Sequence, residues 1–155
     1  QGVTALHCAS NRGHVEVVNT LLKHGAEINT TDTQGATALH AASLNGHVEV
    51  VNTLLKHGAD INTTDTQGFT ALHGASQEGH VEVVNTLLKH GSDINTLTPQ
   101  GVTSLHRACN NGHAEVVNTL LENGADINTT DTEGDTALHC ASLRGHVEVV
   151  NTLLK

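Results

Sequence analysis

The chain has 155 residues, 37% of them hydrophobic, with one aromatic, Phe69, and no Trp, Tyr or Met. A deep core usually draws on several aromatics, each burying a large area, so this composition points to thin layers of Leu, Val, Ile and Ala. The formal charge of −9, from 16 acidic and 7 basic residues, opposes nucleic-acid binding through phosphate neutralisation, and no apolar run approaches the ~20 residues that span a bilayer.

No secretory signal pattern opens the chain. The three cysteines, Cys8, Cys109 and Cys140, are odd in number and lack C-x-x-C spacing. They read as small buried hydrophobes with free thiols, which fits a reducing compartment, so an intracellular, cytoplasmic location is expected. A start at Gln1 rather than Met leads to the expectation of a fragment from a longer protein.

In chain order, the first element opens at Thr4-Ala5-Leu6-His7. That tetrad returns at Thr37, Thr70 and Thr136, and as Thr103-Ser104-Leu105-His106 in the fourth copy, each step being 33 residues. Five copies are expected, at about 1–31, 32–64, 65–97, 98–130 and 131–155. Within the second copy, Ala38, Leu39, Ala41 and Ala42 lie at helical spacing until Asn45-Gly46 breaks the run. A second helix is predicted from His47 to His57, with Val48, Val51, Leu54 and Leu55 on one face. Gly58 closes it where a left-handed residue is needed. A turn-rich segment follows, with Ile61 as its apolar anchor. Helices this short are marginal alone and need neighbouring copies to stack on, which predicts a solenoid.

These residues resemble the ankyrin repeat, whose period and T-P-L-H-x-A signature appear as Thr37-Ala38-Leu39-His40-Ala41-Ala42, followed by Gly46-His47-Val48-Glu49-Val50-Val51 and Leu54-Leu55-x-x-Gly58-Ala59-Asp60-Ile61-Asn62. The resemblance covers the whole chain. It implies an all-α solenoid of paired short antiparallel helices with β-hairpin-like loops, forming one domain over residues 1–155. The family's proline in the first helical turn is Ala or Ser here, which removes a pre-set φ without changing the expected fold. The first and last copies keep Leu6, Val17, Leu138, Val149 and Leu153 where a free-standing array would carry polar faces. End-to-end self-association is therefore a further expectation.

Thirteen histidines fall into three registers, headed by His7, His14 and His24. Equivalent histidines one helix-packing distance apart, ~8–10 Å, cannot share a zinc ion held at about 2 Å, so no metal site is expected. The resemblance instead implies that each Thr-x-x-His pair bonds locally and ties one copy to the next. Twelve of the 16 acidic residues also recur in register, unlike a catalytic pair. Neither a P-loop nor a GxGxxG pattern is present, so no enzyme and no cofactor is expected. The Asn29, Asn62 and Asn128 glycosylation patterns read as coincidence in a repeated loop, while the resemblance marks Asn29, Asn62, Asn95 and Asn128 as hydroxylation candidates.

The copies differ at two places that the resemblance puts on a concave, partner-binding face. One holds Val3, Ala36, Phe69, Val102 and Asp135. The other holds Asn11-Arg12, Leu44-Asn45, Gln77-Glu78, Asn110-Asn111 and Leu143-Arg144. Phe69, Leu44 and Leu143 are apolar where exposure is expected, and Phe69, Arg12 and Arg144 suit the aromatic and arginine anchors that carry interfaces. Gly74, Thr98-Pro99 and Arg107 replace the repeating residues in copies three and four and mark a break in the array. The expected function is noncatalytic binding of a protein partner. The alternative is a structural spacer or self-associating array, recently duplicated or consensus-designed.

Overall fold

The computed structural model describes residues 2–155. Among the described residues, ten helices form five antiparallel pairs: α1 Ala5–Arg12 with α2 Val15–Lys23, α3 Ala38–Leu44 with α4 Val48–Lys56, α5 Ala71–Glu78 with α6 Val81–Lys89, α7 Ser104–Asn110 with α8 Ala114–Glu122, and α9 Ala137–Arg144 with α10 Val147–Leu154. First helices stack on first helices and second on second, so each pair touches only its neighbours. The core is layered as its composition dictates: Leu39, Val50, Val51 and Leu54 of one pair lie under Leu72, Val83, Val84 and Leu87 of the next, all essentially buried. Ile28, Ile61, Ile94 and Ile127 anchor the loops against it. The connecting loops are tight turns, closed by bonds such as Asp65 N–H to the Phe69 carbonyl at 2.9 Å; among the described residues they form no strand.

Every first helix starts with the same device. The Thr70 hydroxyl oxygen accepts from the His73 backbone N–H at 3.3 Å, and His73 Nδ1 accepts from the Thr70 N–H at 3.1 Å. This is a capping box with histidine in the usual Glu or Gln place. Nδ1 is thereby fixed as an acceptor, so Nε2 carries the proton and points onward. It donates to the next loop's carbonyl: His7 to Ala36, His40 to Phe69, His73 to Val102 and His106 to Asp135, at 2.9–3.1 Å.

A second histidine register ties the helix turns. His47, His80, His113 and His146 donate from Nε2 to the carbonyls of Asn11, Leu44, Gln77 and Asn110 in the preceding pair, at 2.8–3.0 Å. Each ring rests on the preceding turn glycine so closely that a Cβ at Gly13, Gly46, Gly79 or Gly112 would lie 2.5–2.7 Å from Nδ1. The third register closes second helices, with His24, His57 and His90 Nδ1 donating to the carbonyl four residues back; Asn123 makes the same bond in the fourth pair. A further tie joins the loops: Asn29, Asn62 and Asn95 accept through Oδ1 from the N–H of Asp60, Asp93 and Asp126. These asparagines are thus occupied as structural links.

Two details depart from the regular pattern. Thr66 and Thr132 each donate a backbone N–H to the preceding loop, at Gln34 and Gln100, whereas Pro99 in the same register has no N–H to give. The Ser10, Ser43 and Ser76 hydroxyls are buried without hydrogen-bond partners; in the fourth pair Cys109 fills that register, where a thiol is a better apolar filler. Of the three expected buried cysteines, only Cys109 is buried. Cys8 is exposed and Cys140 half-buried, because their position on the first helix faces outward.

The glycine–histidine contact yields a direct test. Gly58 and Gly79 have nearly equal φ, +86° and +80°, but a Cβ at Gly58 meets nothing within 4 Å. Gly58→Ala should cost about 1–2 kcal/mol from backbone strain alone. Gly79→Ala should cost about 1–3 kcal/mol more, from overpacking against His113. Urea unfolding of both variants measures the difference, and equal losses would rule out the ring contact as a determinant of stability.

Candidate functional site

The face formed by first helices and loop tips contains a groove of about 430 Å³ that runs across the first three helix pairs and ends at Arg107. Eight of the residues singled out in the sequence line it: Val3, Asn11, Ala36, Leu44, Asn45, Phe69, Gln77 and Arg107. Asp135 and Leu143 line a separate depression with Leu138, His139 and Ser142. The other six lie outside both. Val102 and Asn110 lend carbonyls to the histidine ties. Asn111 bonds back to the Arg107 carbonyl, and Arg144 Nε donates to Asn110 Oδ1 at 3.2 Å. Arg12 is exposed, as is Glu78, which accepts from the Gln77 amide.

Three side chains meet on the groove wall, and two of them, Phe69 and Arg107, interrupt the repeat pattern. Phe69 stands in the loop before α5. Arg107, from α7, lays its guanidinium carbon 4.6 Å from the centroid of that ring, a cation–π arrangement. The His73 ring meets Phe69 edge-on, with centroids 5.5 Å apart. Phe69 is accordingly half-buried rather than exposed as expected, since Arg107 and His73 flank it. Leu44 remains 43% and Leu143 83% exposed.

Gly74 forms the floor beside this cluster. Of 15 glycines, 14 have positive φ; Gly74 alone sits in a helix without that need. A Cβ there would meet Leu44 Cδ1 at 3.5 Å, an ordinary contact. Neither backbone nor packing demands glycine, so its effect is to leave the groove deeper by one methyl group. The sequence marks Gly74 only as a departure; its placement between Leu44 and Phe69 comes from the fold.

Electrostatics distinguish the two ends. Asp32 and Asp65 lie at the loop side, each with Oδ1 accepting two N–H groups of its own turn. Burial raises the Asp32 carboxyl, but the bonds from Ala36 and Gln34 outweigh it and hold it below the usual carboxylate range. Arg107 is the only lysine or arginine lining the groove; it is half-buried and its Nε has no hydrogen-bond partner. Burial, aided by the Arg107 charge, holds His73 below the usual histidine range against the opposing bond to Val102 and the charge of Asp65. Burial pushes the Cys109 thiol up to about 12 and raises Cys140 as well, so neither is an activated nucleophile.

Stacked helix pairs joined by short loops define a solenoid of the helical-repeat class. The profile described as ankyrin repeats (3 copies) matches the chain in four overlapping stretches, residues 1–65, 32–98, 62–131 and 93–155. The chain belongs to the ankyrin-repeat family. Members of this family are in general protein–protein interaction modules and are typically noncatalytic. Among curated proteins, none matches the chain. No helix among the described residues is long and apolar enough to cross a membrane.

Two measurements follow from this geometry. Gly74→Ala should stabilise the fold by about 1 kcal/mol, the helix-propensity difference, as read by thermal unfolding; a loss would mean that the extra methyl is not accommodated. For His73, the folded state favours the neutral ring, so the stability it contributes is full above the ordinary value of 6.5 and is lost as pH falls through the lower folded value. Taking the pH from about 7.5 to about 5 should lower Tm, and less so in His73→Gln, which keeps a capping-box side chain.

Proposed function

We propose that the chain is a noncatalytic module that holds a protein partner in the groove between its first helices and loop tips. The observation that carries this reading is the convergence of Leu44, Phe69, Gly74 and Arg107 at one place on the groove wall. Elsewhere the copies are nearly identical and their side chains are committed to holding neighbours together; here they are released from that duty. An aromatic flanked by arginine over an apolar floor is the composition of an interface hot spot. The fold itself names no ligand, since function in repeat proteins resides in the surface grafted onto the array.

The reading is tested by affinity capture from a lysate, with the chain run beside a variant carrying Leu44→Ala and Phe69→Ala, and beside a control with the exposed second-helix residues Lys56 and Lys89 changed to Ala. Proteins retained by the chain and the control but lost by the groove variant are the expected outcome, once circular dichroism shows all three folded. Identical capture by all three would move the assignment to a structural spacer.

A further inference from the structure

We infer that the groove recognises an extended segment of its partner that carries a single acidic residue, one apolar side chain seating over Gly74 beside Leu44 and a neighbouring aspartate or glutamate meeting Arg107. The inference rests on the protein-binding reading above and specifies the partner's chemistry.

Three observations lead to the same occupant. The hollow is one methyl group deep: Gly74 supplies no side chain, Leu44 Cδ1 lies 3.5 Å from where a Cβ would be, and Phe69 lines the same groove. The guanidinium beside it is held in a fixed place by its stack on Phe69, so its position is set before a ligand arrives. Its charge is also poorly compensated. The group is half-buried, its Nε is shielded from solvent without an acceptor, and desolvation of that kind makes an incoming anion worth more than it would be at an open surface.

The facing groups define the register of the segment. Asp32 and Asp65 stand at the loop side, their Oδ1 atoms held by backbone N–H groups, and repel a carboxylate there. The acidic residue is thereby directed to the Arg107 end. A chain with only seven Lys and Arg against sixteen acidic residues repels most acidic polypeptides, so discrimination depends on one cation in one place. The groove continues from Val3 to Arg107 across successive helix pairs. That continuity fits a segment lying along it with its acidic side chain at the Arg107 end.

The test is selection of a randomised linear-peptide library on the intact chain, followed by fluorescence anisotropy with the enriched peptides. Enriched sequences should pair Leu, Ile, Val or Phe with a nearby Asp or Glu. Amidating that acid to Asn or Gln, or making Arg107→Gln, should each weaken binding at least about tenfold, the worth of one charge-assisted contact. The two changes together should weaken it little further. Gly74→Ala should weaken binding while the fold stays intact, and capping the peptide C-terminus should change nothing. Peptides that need Phe69 but bind Arg107→Gln equally well would overturn the acidic specificity and leave the groove standing. Peptides indifferent to both Phe69→Ala and Arg107→Gln, or no enrichment at all, would remove the groove reading with it.

Discussion

The structure depends on a proton held on one side of a histidine ring. In the first helices of the first four pairs the Thr N–H occupies Nδ1, which leaves Nε2–H as the donor and aims it at the next loop's carbonyl. One side chain thus ends a loop, starts a helix and sets the distance to the following pair. Hydrophobic stacking supplies the drive for association, but it is tolerant of sliding. Directional bonds from two histidine registers and the asparagine ties fix the spacing, and the same spacing brings the groove residues of separate copies into contact.

The period, the paired helices and their stops were legible because each leaves a local mark. The run of Ala38, Leu39, Ala41 and Ala42 ending before Asn45-Gly46 becomes a helix over Ala38–Leu44; the second, expected from His47 to His57, runs Val48–Lys56. Gly58 takes its left-handed φ of +86° where a stop was expected. The Gly-His turn was harder to interpret, since a dipeptide repeated five times reads as punctuation. Its role lies in the next copy, where the ring rests on the previous glycine. The Cys8 and Cys140 thiols misled for a related reason: helical spacing alone does not say which side of so short a helix faces the groove.

The groove was legible in its parts but not in its assembly. Phe69 stands out by composition and Arg107 by its charge in a register of small residues, yet they occupy different copies and different registers. Only the superposition of one pair on the next brings the guanidinium onto the ring. Gly74 is still less visible, because glycine in this chain nearly always signals a turn. Its helical conformation separates it from the other 14, and conformation is what the letter alone withholds.

Pro99 adds a mechanical meaning to the array. A stack of equal units joined by equal ties deforms evenly under an applied load, like identical springs in series. Between the third and fourth pairs the loop-to-loop amide bond made by Thr66 and Thr132 elsewhere is missing, while the helix contacts and the Asn95 tie persist. The loop side of this junction thus has one backbone tie fewer than those at Thr66 and Thr132, and bending there opens or closes the angle between α5 and α7. Those helices carry Gly74 and Arg107, so such a bend moves the floor and the cation of the groove relative to each other.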